Sequence, residues 1–439
     1  MKKIICLILS LILMASVLSG CFNNKENSTE SSNENSNENS NENIIPELSV
    51  WDGSVATAFA GGDGSAENPY KIASADQFAF LAQEINAGKD YKGKSFSLLC
   101  DIDLNNLEWT PIGNGTNSFM GRFDGNGHVI KKLKISQIVH YQYEYPTGIK
   151  FSYCDLGLFA TLQDASIQNM TIDGATIEIA DNPGGVAHQV GVLCGTVRTY
   201  ESSSVISNIS IKNATIAAQF PGQGRPASLC IGGAIGYLYA YNNTTTIISR
   251  IEANSMLSFE QSYGLNNYMG TILGCSNILD STFTLENCVA YQAISVTPEQ
   301  YYYTITNDFC GMIANAQASA KPFTVKNVFS KTTVSKPEFE NTLNAPVALV
   351  SHAIIGTAYY SALKDDPGAV GYKFENVFGC IEYVDAKTGQ KDILTDLYAL
   401  PQGPTFSQIN CYGCEVLPEN HGFDTEIWDL SDMSKPKLK

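Results

Sequence analysis

Short runs of alternating apolar and polar residues fill most of the chain, and a glycine heads many of them. Such glycine-led runs begin 34, 41, 38 and 41 residues apart, at Gly157, Gly191, Gly232, Gly270 and Gly311. A degenerate sixth copy covers 347–352. Short alternating runs predict half-buried strands, and a fixed period near forty predicts units that bury their apolar faces against their neighbours.

A second strand signal follows each glycine-led run and carries an asparagine at Asn169, Asn208, Asn287, Asn327 and Asn376. The third copy keeps only 251–254, ending in Asn254. Asparagine tolerates the left-handed conformation and suits a bend, and amides stacked in successive repeats can pair. The sequence therefore predicts an all-β fold, a right-handed parallel β-helix, rather than a Greek-key sandwich.

One convincing helical pattern lies at 74–88. Ser74 and Gln77 form a capping box and Gly88 is a natural stop. The apolar stripe consists of Phe78, Leu81, Ala82 and Ile85. We expect a short N-terminal helix that caps the strands.

The first residues predict export and lipid attachment. Lys2 and Lys3 precede an apolar run at 4–17, which is too short for a stable transmembrane span. Leu-Ser-Gly-Cys at 18–21 resembles the bacterial lipobox, in which Cys21 is lipidated; an ordinary signal peptide with an incidental cysteine is the alternative. The Asn/Glu/Ser repeat at 23–43 predicts a solvated tether.

These patterns divide the chain into three parts. Residues 1–20 form a signal peptide and residues 21–49 the lipidated cysteine with its disordered tether. Residues 50–439 form a single parallel β-helix domain. Within that domain we expect an N-terminal cap at 50–100, repeats at about 101–385 and a C-terminal segment at 386–439.

The composition limits which classes of molecule can be binding partners. The 439 residues carry a formal net charge of −17, and 16% are charged while 44% are hydrophobic. A negative field repels phosphates and argues against nucleic acid as a partner. Low charge with abundant Gly, Asn, Thr, Ser and Tyr favours strands.

Several segments of the folded part resemble GLUG-motif bacterial surface proteins. The N-terminal resemblance lies in Asn68-Pro-Tyr-Lys-Ile, Trp109-Thr-Pro-Ile-Gly113 and the stretch 119–128, and the C-terminal one in the stretch 422–438. The glycine-led repeats resemble the GLUG units themselves. The resemblance implies a right-handed parallel β-helix of the pectin-lyase-like, adhesin type found in surface lipoproteins. It implies no single activity.

The chemical motifs point to no recognisable catalytic set. Residues 88–95 match the phosphate-loop pattern, but a helix precedes them and a strand follows, so we expect no nucleotide. Asp101, Asp103 and Asp124 are candidates for sugar chemistry or loosely bound Ca²⁺, with a structural role preferred. The histidines are scattered, at His128, His140, His188, His352 and His421. We expect no metal site, no cofactor and no catalytic residue.

The sequence does not decide which cysteines form disulfides. The mature domain contains Cys100, Cys154, Cys194, Cys230, Cys275, Cys288, Cys310, Cys380, Cys411 and Cys414. Those in or beside the glycine-led strands are expected to point inward as small apolar residues. Stacked repeats could bring pairs within bonding distance. Residues 411–414 form a lone C-x-x-C, which suits a small disulfide loop or half a metal site.

Tyrosines cluster beside the glycine-led strands and are the candidate ligand-binding residues. They are Tyr141, Tyr143, Tyr145, Tyr237, Tyr239, Tyr241, Tyr301, Tyr302, Tyr303, Tyr359 and Tyr360. A tyrosine offers a flat apolar face with a hydroxyl, which suits a sugar or a protein. The alternative is that they stack on one another or cover sheet edges.

The sequence thus predicts a lipid-anchored, outward-facing surface protein of bacterial type. We expect it to act as a non-enzymatic binding or adhesion module for an extracellular glycan or protein, with the membrane as a partner through Cys21. The alternative is a polysaccharide lyase or glycoside hydrolase on the same scaffold, by analogy of fold.

Overall fold

The computed structural model describes most of the chain after residue 46. The described residues are 47–144, 150–180, 185–219, 228–260, 266–297, 306–310, 312–318, 321–336, 348–360, 371–385, 387–397 and 407–439. The chain from Ile45 to Lys439 forms one compact unit. Cys21 and the tether lie outside the described residues, so the lipid anchor and the predicted domain boundaries stay predictions.

The described part of the chain consists of strands of 2 to 16 residues and one helix. The N-terminal part contains α1 (Ala75–Asn86) and the strands β1 (Leu48–Val50), β2 (Tyr70–Ile72), β3 (Ser95–Leu98), β4 (Asp101–Asp103), β5 (Arg122–Asp124), β6 (Val129–Lys131), β7 (Lys134–Ile135) and β8 (Tyr141–Glu144). The repeated part begins with β9 (Lys150–Leu156), β10 (Phe159–Gln163), β11 (Ser166–Asp173), β12 (Thr176–Ile179), β13 (Val186–Gly191), β14 (Cys194–Thr199), β15 (Ser204–Ala218), β16 (Ser228–Gly232), β17 (Ile235–Ala240) and β18 (Thr245–Glu260). It continues with β19 (Asn266–Gly270), β20 (Leu273–Ile278), β21 (Thr282–Thr297), β22 (Thr306–Cys310), β23 (Ile313–Ala318), β24 (Phe323–Lys336), β25 (Ala348–His352), β26 (Ile355–Tyr360) and β27 (Tyr372–Asp385). The last strands are β28 (Lys391–Leu394), β29 (Ser407–Gly413), β30 (Trp428–Asp429) and β31 (Lys437–Leu438).

Each repeat contributes strands to three sheets in a fixed order. Sheet C contains β9, β13, β16, β19, β22 and β25, with β8 at its edge. Sheet B contains β10, β14, β17, β20, β23 and β26. Sheet A contains β11, β15, β18, β21, β24 and β27, together with the N-terminal strands. The chain therefore visits sheets C, B and A in turn, and strands of successive repeats pair in parallel.

Apolar side chains one repeat apart form buried rows. In sheet A, Ile206 pairs with Ile248, then Leu285, Val325 and Phe374 follow in the same row, and all five are at most 3% exposed. A second row stacks Phe283, Phe323 and Tyr372, with ring centroids 4.6 and 4.9 Å apart. Burying each such side chain contributes roughly 1.5–3 kcal/mol. This explains why the apolar periodicity of the sequence holds the repeats together.

An asparagine ladder runs through the bend of sheet A. Asn169, Asn208, Asn287, Asn327, Asn376 and Asn410 all have positive φ values between 51° and 58°. Each side-chain amide of Asn208, Asn376 and Asn410 donates to the asparagine one repeat earlier, at 2.8–2.9 Å. The predicted bend and amide pairing are confirmed. In the third repeat the left-handed position belongs to Arg250, with φ 53°, and not to Asn254.

Glycines mark the corner between sheets C and B. Gly191, Gly232 and Gly270 are register neighbours, and the next two positions of that row are Cys310 and His352. The sequence placed the fifth start at Gly311, which lies outside the described residues, and the sixth at Val347, five residues before the observed corner. A side chain at Gly232 would meet backbone, because an added Cβ would overlap the Ile235 carbonyl oxygen and lie 2.6 Å from that of Ile272.

The predicted helix forms with its predicted apolar stripe. Phe78, Leu81, Ala82 and Ile85 are buried, and Phe78 stacks on Trp109 at 5.2 Å. The capping box is only half formed. Gln77 accepts a hydrogen bond from the Ala73 N–H at 2.8 Å, whereas the Ser74 hydroxyl donates to Asp76 instead of capping the helix.

The C-terminal segment packs on the outer side of sheet A. Leu417, Phe423 and Trp428 cover Val289 and Phe329, and these residues form a second buried cluster apart from the main core. The Leu438 N–H donates to the Glu252 carboxylate at 3.1 Å, and the Tyr291 hydroxyl donates to the Pro436 carbonyl at 2.9 Å. The segment thereby shields a face of three successive repeats.

The predicted all-β class with parallel sheets is confirmed. Within the described residues, no helix is long and apolar enough to cross a membrane. Closure of the three sheets into a right-handed solenoid stays a prediction.

Candidate functional site

Polar side chains gather where sheets B and C meet, close to the glycine corner. In sheet C, Asp155 is the register neighbour of Gln189, and in sheet B, Thr161 is the neighbour of Thr196. All four are buried, at 5% exposure or less. Buried polar groups on neighbouring strands persist only when they satisfy one another, so the corner is organised by a hydrogen-bond network.

Asp155 is the centre of this network. Its Oδ2 accepts hydrogen bonds from the Tyr141 hydroxyl at 2.7 Å and from the Thr161 hydroxyl at 3.0 Å. The Arg198 guanidinium lies 4.0 Å from the same oxygen. The Oδ1 atom is buried without a hydrogen-bond partner. We name Asp155, Tyr141, Thr161 and Arg198 the Asp155 cluster.

Burial changes the pKa values of the ionisable side chains in the Asp155 cluster. Burial raises the pKa of Asp155, and the nearby Arg198 charge and the hydroxyl donors offset this only in part. Burial and the neighbouring Asp155 charge also raise the pKa of Tyr141. Arg198 anchors the cluster from the side, since its guanidinium donates to the Gly115 carbonyl at 2.9 Å and to the Tyr141 hydroxyl at 3.3 Å. A carboxyl with a raised pKa holds its proton to higher pH and can donate it.

A tyrosine ladder continues the same rows into the next repeat. Tyr237 is the register neighbour of Thr196, and Tyr239 is that of Arg198. The Tyr237 and Tyr239 rings stack at 4.2 Å, and Tyr239 and Tyr241 stack at 6.3 Å. All three side chains are half-buried. We name Tyr237, Tyr239 and Tyr241 the tyrosine ladder.

Hydrogen bonds join the ladder to Gln189 and Thr196, the register neighbours of Asp155 and Thr161. The Thr196 hydroxyl donates to the Gln189 side-chain oxygen, and the Gln189 amide donates to the Tyr239 hydroxyl at 3.4 Å. The Asn277 amide donates to the Tyr241 hydroxyl at 3.1 Å. Together with the Asp155 cluster, these side chains form one polar and aromatic row across four successive repeats, and the half-buried tyrosines are its accessible part. A flat apolar ring edged by amides and hydroxyls matches the surface of a sugar.

The predicted tyrosine residues divide into three groups. Tyr141 belongs to the Asp155 cluster, and Tyr237, Tyr239 and Tyr241 form the ladder, where they stack on one another as the alternative interpretation proposed. Tyr145, Tyr301, Tyr302 and Tyr303 lie outside the described residues, and the side chains of Tyr143, Tyr359 and Tyr360 are not described.

Sequence reasoning missed Asp155, Gln189 and Arg198. Asp155 stands two residues before Gly157, and alternation within β9 would have aimed it to the side opposite Cys154. The corner that brings it to Thr161 is a property of the three-dimensional turn between sheets, which spacing alone does not reveal.

The aspartates singled out in the sequence have structural partners. Asp101 accepts from the Val129 N–H at 3.1 Å and pairs with Lys131 at 3.2 Å, and Asp103 pairs with Lys132 at 2.6 Å. Asp124 accepts from the Asn169 amide at 3.0 Å and so begins the asparagine ladder. The preferred structural interpretation of these residues fits their contacts.

Two of the cysteines pair, and the others in the described part do not. Cys230 and Cys275 form a disulfide with their Cα atoms 5.8 Å apart, which is one of the pairings between stacked repeats that the sequence left open. Cys100, Cys154, Cys194, Cys288 and Cys380 are free and buried, and Cys411 and Cys414 are free and half-buried. The Cys310 side chain is not described.

The phosphate-loop-like string has the reversed arrangement expected from the sequence. Helix α1 ends at Asn86, before the string, and β3 begins at Ser95. The Lys94 ammonium donates to the Asp63 carbonyl at 3.1 Å. No helix N-terminus follows Lys94 in this segment, so the string lacks the dipole that phosphate loops use.

A concave surface lies on sheet A beside the C-terminal segment. Its volume is about 570 Å³. Asn254, Met256, Gln292, Lys331 and Lys435 contribute to its lining. It offers amides and ammonium groups but no buried acid of the Asp155 kind among its described lining residues.

Comparison with known proteins gives distant, partial similarities. No family model matches the chain, so membership of the GLUG-motif proteins stays a prediction. The chain is 30% identical over 199 residues to halomucin of Haloquadratum walsbyi, covering 42% of this chain and 2% of that protein. It is 28% identical over 169 residues to a proposed Gly-rich membrane protein of Evansella cellulosilytica, covering 36% of this chain and 16% of that protein. The matches thus span a small part of both relatives.

Among solved structures, the chain is similar to a proposed immunoglobulin A1 protease from Bacteroides ovatus. The TM-score is 0.52 at 17% identity, with 87% of this chain and 95% of the other covered. A second similarity, to an IgA1 protease, has 14% identity and covers 81% of this chain and 26% of that one; its TM-score of 0.32 is too low to support an argument. At these identities the comparisons inform the fold alone.

The first of these structures corrects one expectation. The sequence prediction was that the chain is not an enzyme, argued from the absence of a catalytic motif. A protein that shares the fold is described as a protease, so this prediction is wrong. In a repeat fold, the residues of a catalytic site can come from different repeats. The absence of a short linear motif is therefore weak grounds for concluding that the chain has no catalytic site.

Proposed function

We propose that this chain is a surface-attached protein that binds extracellular glycan at the B–C corner, on a right-handed parallel β-helix. The tyrosine ladder beside the Asp155 cluster is the observation that carries the proposal. The fold assignment is supported by the order in which the chain visits sheets C, B and A, and by the strong right-handed preference of crossovers between parallel strands.

Two independent observations support surface attachment. The leader and lipobox-like residues up to Cys21 favour an exported lipoprotein, and the partial relatives include a halomucin and a proposed membrane protein. Replacement of Cys21 by Ala should release the protein from membranes into the soluble fraction. Retention of the Cys21→Ala protein in the membrane fraction would contradict lipid attachment.

A glycan is the ligand class that suits the ladder. Sugar rings present flat C–H faces that stack on tyrosine, and their hydroxyl groups exchange hydrogen bonds with tyrosine hydroxyls and with amides such as that of the half-buried Asn277. The net charge of −17 disfavours polyanionic partners at long range. A neutral or weakly acidic polysaccharide therefore fits the surface better than a nucleic acid.

Glycan-array binding of the purified full chain tests this proposal. Tyr237→Ala and Tyr239→Ala should each weaken binding by about tenfold, which corresponds to about 1.4 kcal/mol for loss of one stacking ring. Asn254→Ala, on the sheet A concavity, is the matched control and should leave affinity unchanged. Loss of binding in the control with retention in the tyrosine variants would place the site on sheet A and overturn the proposal.

Cleavage of the bound glycan is a second candidate function, and the Asp155 cluster favours it. A carboxyl with raised pKa suits a general acid. In a hydrolysis, Asp155 would donate its proton to the glycosidic oxygen as the C–O bond breaks, and a water molecule would add to the anomeric carbon and return a proton to the Asp155 carboxylate. Arg198 holds Asp155 in place, with its guanidinium 4.0 Å from the Asp155 Oδ2 atom. Access requires Tyr141 to move, because its hydroxyl covers the Asp155 oxygen.

Product analysis on glycans that bind decides this second function. A polysaccharide lyase yields unsaturated ends that absorb in the ultraviolet, and a glycoside hydrolase yields new reducing ends without that absorbance. Asp155→Asn should abolish release of products while leaving glycan affinity within about twofold. Binding without products from the wild-type chain would refute cleavage and leave the binding proposal standing.

A further inference from the structure

Three side chains far apart in sequence lie in one row across neighbouring strands. β9 and β13 pair in parallel with Cys154 opposite His188. β8 and β9 pair antiparallel with Tyr141 opposite Tyr153, and one further residue in that register brings His140 beside Cys154. The thiol is therefore flanked by an imidazole on each side.

The donor atoms of the row converge. One ligand atom from each of His140, Cys154 and His188 lies within 4.8 Å of the other two. The two imidazole rings are 6.2 Å apart at their centroids and nearly perpendicular, at 87°. Cys154 and His188 are fully buried, His140 is half-buried, and its Nε2 atom is buried without a hydrogen-bond partner.

This donor set has the chemistry of a zinc site. Thiolate and imidazole are the ligands that structural and catalytic Zn²⁺ prefer, with bonds of about 2.0–2.3 Å that place ligand atoms roughly 3.5 Å apart in a tetrahedron. Since the ligand atoms lie within 4.8 Å of one another, a contraction of at most about 1.3 Å, by rotation of the imidazoles, meets that requirement. Carboxylate-preferring cations such as Ca²⁺ and Mg²⁺ do not suit one sulfur and two nitrogens.

We propose that His140, Cys154 and His188 bind one Zn²⁺ ion, with the fourth coordination position left to a water molecule. The ion joins the segment before β8 to β9 and β13 at the edge of sheet C, beside His140, the half-buried member of the set. This site is separate from the Asp155 cluster, because alternation within β9 sends Asp155 to the opposite face from Cys154.

Metal analysis of the purified full chain tests the site. After dialysis against Zn²⁺ and removal of loosely held metal, one zinc per chain is expected, together with a higher unfolding temperature than in the chelated protein. Cys154→Ser and His140→Ala should each weaken Zn²⁺ binding by more than the roughly 10–100-fold that loss of an outer-shell partner costs. With Co²⁺ in place of zinc, a sulfur-to-cobalt absorption band should appear and should vanish in Cys154→Ser.

Matched variants separate this outcome from general damage to the fold. Cys194→Ser changes another fully buried free thiol, and His421→Ala changes another half-buried histidine; both should retain the metal. Equal zinc content in Cys154→Ser and wild type would overturn the site. Preference for Cu(I) over Zn²⁺ would overturn the assignment of the metal, and no bound metal in the folded wild-type chain would overturn the proposal altogether.

Discussion

The bend of sheet A and the corner between sheets C and B are built in different ways. At the bend of sheet A, asparagine recurs at Asn169, Asn208, Asn287 and Asn327, and the amides pair on either side of Arg250, as in Asn208 with Asn169 and Asn327 with Asn287. At the corner between sheets C and B, glycine recurs in the backbone, but the side chains around it change from repeat to repeat. Asp155, Gln189 and Cys230 occupy one register row there.

This difference separates residues that recur from repeat to repeat from residues that vary. A repeated side chain that satisfies its own copy one repeat away stabilises the stack. A row that changes identity at every repeat is not needed for stacking, so it is free to carry a buried acid, a disulfide or an aromatic ladder. The candidate site lies at the corner with variable side chains, and the sheet A bend has the regular ladder.

Replacement of Gly232 by Ala should have the largest effect on stability. The added methyl group would overlap the Ile235 carbonyl and crowd that of Ile272, and neither backbone atom can move away cheaply. We expect the free energy of unfolding in urea to fall by about 3 kcal/mol. Gly127→Ala is the control, because its Cβ would meet nothing within 4 Å and only backbone strain of about 1 kcal/mol applies. Equal losses in both variants would mean that close packing does not define the corner.

Replacement of Asn208 by Ala should lower the free energy of unfolding by less than Gly232→Ala does, by about 2 kcal/mol. The variant loses the 2.9 Å hydrogen bond to Asn169 and forces alanine into the left-handed region, at φ 58°. Asn208→Gly removes the hydrogen bond but accepts the positive φ, so it should lose only about 1 kcal/mol. Urea denaturation measures both. If Asn208→Gly were as damaging as Asn208→Ala, the conformational argument for asparagine would fail.

Replacement of Asp155 by Asn should change how stability depends on pH. Because the folded-state pKa of Asp155 is raised above its ordinary value of 3.8, its contribution is fully present below that pH and is lost as pH rises through the folded pKa. Asparagine does not titrate. The unfolding temperature of Asp155→Asn minus that of wild type should therefore rise between pH 4 and pH 8.

The same substitution at Asp101 should show the opposite trend. Burial alone would raise the pKa of Asp101, but hydrogen bonds from Val129, Lys131 and His128 bring it below its ordinary value. Its stabilising contribution is present above pH 3.8 and lost as pH falls. The unfolding temperature of Asp101→Asn minus that of wild type should become more negative as pH rises. Parallel trends in the two variants would refute the raised pKa of Asp155.

Much of the fold could be predicted from the sequence because its signals repeat. Ile206, Ile248, Leu285 and Val325 recur at a period near forty, and that period alone indicates strands stacked in register. The asparagine bend was predictable for the same reason. The start of the fifth and sixth units was misplaced, because the corner there holds Cys310 and His352 instead of glycine, and the register depends on strand pairing more than on a single residue.

The candidate site was predicted only in part. Clustered tyrosines are visible in the sequence, and Tyr237, Tyr239 and Tyr241 do share one surface. Asp155, Arg198 and the His140–Cys154–His188 row lie in or beside β8, β9, β13 and β14, without any recurring spacing. Their proximity depends on how sheets C and B meet and on the antiparallel pairing of β8, which only the three-dimensional structure gives.

The asparagine ladder has a break at Arg250, and repairing it gives the smallest expected effect. Arg250 holds the left-handed position between Asn208 and Asn287 with φ 53°, but its exposed side chain is not an amide. Arg250→Asn would let one amide accept from and donate to its two neighbours, so we expect a gain of about 1 kcal/mol in urea denaturation. Arg250→Gly isolates the conformational contribution. If Arg250→Asn is no more stable than Arg250→Gly, amide pairing adds nothing and the ladder stabilises the bend only through the positive φ that asparagine tolerates.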